Sequence, residues 1–467
     1  MVIVFILGYL GIVMEHKIKI NKAAIALLTA GVLWVIYIVF NPLSASIVNA
    51  DAFREFLHNN PALNSAPLAE QCKRFISEFQ IIENLGEISS TLFFLIGAMT
   101  IVELVDVHDG FSLITERITT RNKKTLLCII TLISFFMSSV LDNLTTSIVM
   151  VMLVRKLIPN YKERWVFASM IIISANSGGA WSPIGDVTTI MLWIKGKITT
   201  LPLVTSLILP SIVSTVVPLL LAVRILKGEI KHPPKQDKSV IKNVIVADRE
   251  KIVIFLMGVI GLILIPIFKY TTGLPPFMGV LTVLGIIWIY TEILYSRINV
   301  SEDIKHRVTR VLRRIDTSTI LFFLGILLSV MALQATGVLN IVGDYLNEKV
   351  HNVYIINVVI GVLSAVVDNV PLVAVAMGMY PLVDPVALST MADAQFMQHF
   401  VQDGDFWQFL AYCSGVGGSI LIIGSAAGVV VMGLEKISFY WYLKNISLLA
   451  LAGYLAGAAV YILFNVL

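Results

Sequence analysis

Two short strings place an acid beside an amide inside apolar sequence. Asp142-Asn143-Leu144-Thr145 follows Ser138–Leu141, and Asp368-Asn369-Val370-Pro371 follows Ser364–Val367, in register at an offset of 226 residues. A carboxylate at membrane depth costs about 2.5–3.5 kcal/mol on insertion scales and marks an ion or proton site. Its recurrence at matching points of two chain halves is the pattern of a transporter centre.

A second pair of strings lies further on. Ser174-Ala175-Asn176-Ser177-Gly178-Gly179-Ala180-Trp181-Ser182-Pro183-Ile184-Gly185-Asp186 gathers helix breakers, and Gly417, Gly418 and Gly424 repeat them at an offset of 239 residues. Ser425 stands in the place of Asp186. Glycine lets the backbone leave helical geometry, and proline removes a donor. Unwound backbone at membrane depth is tolerated where it lines an enclosed or aqueous cavity. Two helices broken at mid-membrane are therefore expected.

The strings offer Asp142, Asn143, Thr145, Asn176, Asp186, Thr188, Thr189, Ser364, Asp368, Asn369 and Ser414 as ion- or proton-binding candidates. These hard oxygen donors, with backbone carbonyls, suit a small hard cation. Sodium itself is expected at Asp142, Asn143 and Asp186. No Lys, Arg or His stands between Ser174 and Met191, at either hairpin tip, or between Tyr412 and Glu435. An anion would find only helix N-termini there. A structural reading competes at each position: a buried Asp can cap a helix, and paired glycines can serve tight helix packing. Glu83 and Glu87, one turn apart, are candidates for ion access or pH sensing against the alternative of a solvated face.

The elements that must hold these residues follow from composition. Of 467 residues, 57% are hydrophobic and 14% charged, which excludes a set of soluble domains. The net charge of +4 resides in connecting segments and reads as membrane orientation, not as nucleic-acid binding. Cys72, Cys128 and Cys413 have no pairing or metal spacing, and no cofactor is expected beyond transported Na+, Li+ and H+. Residues 1–14 resemble the apolar core of a secretion signal but lead straight into another apolar run, so a retained helix is expected.

Apolar spans fall near 1–14, 23–40, 85–107, 165–194, 201–223, 251–268, 277–292, 318–336, 406–434 and 440–465. Segments 125–154 and 353–380 carry the Asp-Asn pairs at their centres, with arms of about 15 residues, or about 22 Å as helix. That passes the midplane of a roughly 30 Å hydrocarbon core without crossing it, so re-entrant hairpins are expected. Arg117, Arg121, Lys123, Lys124, Arg155, Lys156, Lys162 and Arg164 flank the first hairpin, while Asp384, Asp393, Asp403 and Asp405 follow the second. The positive-inside rule then admits one hairpin from each side.

The expected fold is an all-α polytopic membrane protein with discontinuous helices. Two inverted repeats, 1–223 and 251–467, each carry five spans plus one re-entrant hairpin, joined by a cytoplasmic linker over 224–250. The broken helices lie at about 165–194 and 406–434. Phe93-Phe94-Leu95 recurring as Phe322-Phe323-Leu324 supports the match. Segment 41–80 reads as an external loop with short interfacial helices.

At Ser138–Thr146, Asn176–Thr189 and Ser364–Met379 the chain resembles the NhaD-type sodium/proton antiporters. They belong to a superfamily that includes arsenite permeases and sodium-coupled dicarboxylate carriers. The resemblance implies exchange of cytoplasmic Na+ or Li+ for external protons by alternating access. It also implies paired hairpins, a scaffold domain, a homodimer in the lipid bilayer and a bacterial inner-membrane location. The dicarboxylate relatives carry Ser-Asn-Thr at their hairpin tips, where this chain has Asp142 and Asp368 in the serine position. The family's further acid and histidine sites do not map securely onto Glu83, Glu87 or His108. A sodium-coupled anion carrier or arsenite permease is the alternative within the superfamily. An intramembrane aspartyl protease is a remote one, since Pro183 and Leu141 replace a glycine and a tyrosine that its motifs need.

Overall fold

The computed structural model describes residues 1–14, 18–111, 120, 122–226, 228–229, 248–297, 307–366, 368–391 and 393–466. Most of the linker 224–250, Arg117 and Arg121, and residues 298–306 of the basic loop before Asp316 lie outside the described residues.

The first half contains α1 (Val2–Val13), α2 (Lys22–Phe40), α3 (Ile81–Val107), α4 (Lys123–Leu141), α5 (Asn143–Leu157), α6 (Tyr161–Ala180), α7 (Val187–Ile194) and α8 (Thr200–Ile225). The second contains α9 (Asp248–Thr272), α10 (Pro276–Arg297), α11 (Thr317–Ala335), α12 (Val338–Lys349), α13 (Val353–Leu363), α14 (Asn369–Met379), α15 (Asp405–Gly417), α16 (Ala426–Glu435) and α17 (Ser447–Val466). Among the described residues, eight helices are long and apolar enough to cross a membrane. The chain is an all-α polytopic membrane protein. Among the described residues the one β feature is an isolated bridge between Asn122 and Glu229.

Residue types that favour capping set several of the helix starts. Asn122 accepts from Lys124 N at 2.9 Å, Asn160 from Lys162 N at 3.0 Å and Asp316 from Thr319 N at 3.2 Å. Each side-chain oxygen satisfies a donor that the first helical turn leaves unpaired.

Helix pairs meet at Asp142 and beside Asp368, and the chain leaves helix at 181–186 and 418–425, with arm lengths that differ from the sequence reading. The arms of the first hairpin have 19 and 15 residues, those of the second 11 each. At 1.5 Å per residue, α4 alone reaches about 28 Å, long enough by itself to cross. The expected equal arms of about 15 residues are thus corrected. The N-terminal span is short, 12 residues or about 18 Å. The expected span 440–465 is two helices, Phe439–Asn445 and α17, divided at Ile446, where φ opens to −118° although its N–H still reaches Tyr442 O. Short helices fill most of 44–80, as expected, and those from Leu68 onward run without a break into α3.

The chain forms two compact units, and each draws on both halves. One comprises Met1–Leu92, Asp316–Asn352 and Val370–Phe396. In it α2 packs along α11, and Gly325 sits so close to the Ala26 backbone that a Cβ would lie 2.6 Å from it. Trp34 Nε1 donates to Leu328 O at 3.1 Å, and Phe53, Phe56 and Phe75 form a buried aromatic cluster.

The other unit comprises Phe93–Ile315, Val353–Asn369 and Met397–Leu467, and it holds both breaks and both Asp-Asn pairs. Here α4 packs on α6, α13 on α15, and α8 along α17. Buried tyrosines tie these helices together: Tyr454 Oη donates to Val358 O at 2.9 Å and Tyr412 Oη to Tyr454 O at 2.8 Å. A buried hydroxyl with a partner avoids the desolvation penalty of an unmade bond.

Candidate functional site

At the first hairpin tip the chain turns at Asp142, whose backbone has φ 73° and ψ 160°. That region is almost restricted to glycine and costs a residue with a Cβ on the order of 1–3 kcal/mol. The carboxylate offsets part of the strain by capping α5. Its Oδ1 accepts from Thr145 N at 2.7 Å and its Oδ2 from Thr145 Oγ1 at 2.9 Å.

The break between α6 and α7 covers 181–186 and ends on Asp186. This side chain caps α7, accepting at Oδ1 from Thr188 N at 3.2 Å, while Thr189 Oγ1 donates to Asp186 O at 2.8 Å. The other oxygen faces the hairpins. Asn143 Nδ2 and Asn369 Nδ2 both donate to Asp186 Oδ2, each at 3.1 Å. The two Asp-Asn strings therefore converge through their asparagines on one carboxylate. Asp186 is 1% exposed, and each hydrogen bond to its charge contributes about 1.5–3 kcal/mol.

Asn143 also donates to Asn176 Oδ1 at 3.0 Å, and Asn176 Nδ2 donates to Ser419 Oγ at 2.9 Å and Ser425 Oγ at 3.0 Å. Ser425 caps α16 across the second break, 418–425, as Asp186 caps α7 across the first. Thr188 Oγ1 is buried and has no hydrogen-bond partner, which leaves a hard oxygen beside Asp186 unengaged.

The repeat is visible in the packing that holds these breaks. Ser138 Oγ donates to Ala175 O at 2.6 Å, and Ser364 Oγ donates to Ser414 O at 2.8 Å. The second pair is the first displaced by the hairpin and broken-helix offsets, 226 and 239 residues. Gly178 against the Phe135 carbonyl and Gly417 against the Gly361 carbonyl are related in the same way, and neither position has room for a Cβ. Gly179, Pro183, Gly185, Gly418 and Gly424 all lie in or beside the two breaks.

Not every expected donor reaches the cluster around Asp186. The hydroxyls of Ser364 and Ser414 bond to backbone carbonyls, Ser414 to Leu410 O at 2.7 Å. Asp368 is half-buried beside Asn369, and Glu83 and Glu87 are exposed on α3. His108 is buried, with Nδ1 2.7 Å from Leu104 O and Nε2 2.7 Å from Tyr295 Oη. Sequence reasoning missed Ser419 and also Gly415, where a Cβ would lie 3.5 Å from Asp186 Oδ2. The repeat offset could have found Gly415, since it stands opposite Asn176.

The citrate transporter family matches residues 9–398 of this chain. Sodium/proton antiporter 1 of Arabidopsis thaliana is 45% identical over 462 residues, covering 99% of the chain and 72% of the relative. The chain belongs to the citrate transporter family and, within it, to the NhaD-type sodium/proton antiporters. Sodium/proton antiporter 2 of the same plant is 42% identical, covering 99% of the chain and 98% of the relative. The Na(+)/H(+) antiporter NhaD of Vibrio cholerae is 27% identical, covering 99% of the chain and 91% of the relative. Transporters make up this family, and the antiporter fold of this chain places its convergent asparagines and Asp186 in one compact unit.

Proposed function

We propose that this chain exchanges Na+ or Li+ for protons across a membrane through competition at Asp186. The observation that carries the reading is the convergence of Asn143 and Asn369 on one oxygen of that carboxylate. A carboxylate removed from water is tolerated when a proton or a cation neutralises it, so one occupant excludes the other. Asp142 with Thr145, Thr188 Oγ1 and carbonyls of the breaks supply further oxygens for the cation. Asp368 supports the site from the second hairpin.

Transport follows if the hairpins and broken helices move against the remaining helices, exposing the site to each side in turn. The direction is outward for Na+ and inward for protons, without covalent chemistry. The bacterial inner membrane and a homodimer belong to the same proposal; the antiporter relatives come from bacteria and from a plant.

Proteoliposomes loaded with a pH-sensitive dye test the reading. A Na+ or Li+ gradient moves protons in the opposite direction, and citrate with Na+ produces no uptake. Citrate uptake without Na+-driven proton movement would favour anion carriage instead. The absence of Lys, Arg and His from the strings that form the site argues against that outcome.

A further inference from the structure

Asn143 uses both of its amide hydrogens, one on Asp186 Oδ2 and one on Asn176 Oδ1. Asn176 in turn uses both of its own, on Ser419 Oγ and Ser425 Oγ. The four residues and Asp186 are buried. An N–H facing Asp186 suits a bare carboxylate. A cation on that oxygen reverses the requirement, because Nδ2 offers only donors and a cation needs Oδ1.

Turning the Asn143 amide would set its Oδ1 against Asn176 Oδ1, two acceptors in contact. The repulsion is removed if Asn176 turns as well and offers Nδ2. Its Oδ1 then faces Ser419 and Ser425. Hydroxyls can accept that change, since each is both donor and acceptor, whereas an alanine or a fixed acceptor could not. Ser425 would still accept from Gly428 N, now 3.2 Å away, and Tyr442 Oη holds the Ser419 carbonyl at 2.8 Å in either state.

We propose that Ser419 and Ser425 are positioning residues that allow Asn143 and Asn176 to invert together when Na+ occupies Asp186. The inversion couples ion binding at the first break to the hydrogen bonding of the second. It explains why the half that lacks an acid at position 425 retains a hydroxyl there. This inference rests on Asp186 being the shared Na+ and proton site.

The test measures Na+-driven proton exchange in proteoliposomes as a function of Na+ concentration. Ser419→Ala combined with Ser425→Ala raises the half-saturating Na+ concentration about tenfold, with the maximal rate within about threefold of wild type. Ser425→Thr on the Ser419→Ala background restores most of the Na+ affinity, because it returns a hydroxyl. An unchanged half-saturating concentration in the double variant, or a loss of rate alone, overturns the inference. Should the double variant not fold, each single alanine still raises the value about threefold, and no change in either overturns it. Asp186→Asn in the same membranes separates the two levels: wild-type exchange by that variant would instead refute the site.

Discussion

Asn369 donates its side-chain amide to Asp186 Oδ2 across 3.1 Å, although 183 residues separate the two. The second hairpin thus contributes to the acid of the first half, and a single carboxylate serves both repeats. Ser425, the counterpart of Asp186, cannot carry charge and takes part through Asn176 instead.

Removing either asparagine tests that convergence. Once a cation sits on Asp186, each amide can turn its Oδ1 toward it, and losing one such ligand weakens Na+ binding by an amount on the order of tenfold. Asn369→Ala and Asn143→Ala are both expected to raise the half-saturating Na+ concentration, measured as Na+-dependent proton movement in proteoliposomes. Equal wild-type affinity in Asn369→Ala would remove the second hairpin from the site.

Gly415 keeps space open beside the carboxylate. A methyl there would lie 3.5 Å from Asp186 Oδ2 and 3.3 Å from Ala180 Cβ, a tight fit that small shifts can absorb. Gly415→Ala is therefore expected to fold and to crowd the ion. Na+, the larger cation, loses about three- to tenfold in apparent affinity, and Li+ loses less. Parallel Na+ and Li+ titrations of proton exchange check the difference.

Much of this arrangement was legible in the residues themselves. The Asp-Asn pairs mark the points where helices meet, and the glycines with Pro183 mark where the chain leaves helix. The repeat offsets of 226 and 239 residues reappear as matched hydrogen bonds. Which oxygen the asparagines share was not legible, because packing sets that pairing over 183 residues. The same limit hid Ser419, whose only mark in sequence is a hydroxyl in an apolar run. Nor was it legible that Thr145 would engage both oxygens of Asp142. Arm length was misjudged because apolar sequence alone does not say where α4 begins. Its start depends on the Asn122 cap.

A buried acid far from the strings also escaped notice. Glu435 is held by Arg155 Nε at 2.7 Å and Arg164 Nε at 2.8 Å, with its side chain 1% exposed. Removing the acid leaves two guanidinium groups without their counter-charge. Breaking a buried pair costs about 3–5 kcal/mol, and the partial exposure of Arg155 points to the low end. Glu435→Ala is expected to lower the thermal midpoint in detergent by several degrees, and Glu435→Asp by less.

Alkaline pH acts on Lys197, in the loop between α7 and α8. Burial, with a lesser contribution from the Lys195 charge, lowers its pKa from 10.5 to about 8, and its Nζ lies 4.2 Å from the Trp407 ring centroid. Between those two values the unfolded chain holds the proton and the folded chain has released it. The unfolded state therefore binds more protons, and folding stability rises with pH in that window. The thermal midpoint of wild type is expected to climb relative to Lys197→Met from about pH 8 to about pH 10.5. Below pH 8 the two curves run parallel, since both states carry the charge.

Competition at Asp186 is tested most directly by proton release on Na+ addition. The purified protein is held in weakly buffered detergent solution with a pH indicator, and NaCl is added against a choline chloride control. Wild type is expected to release protons in proportion to the Na+ bound, and Asp186→Asn to release none above the control. Undiminished release from Asp186→Asn would contradict the account.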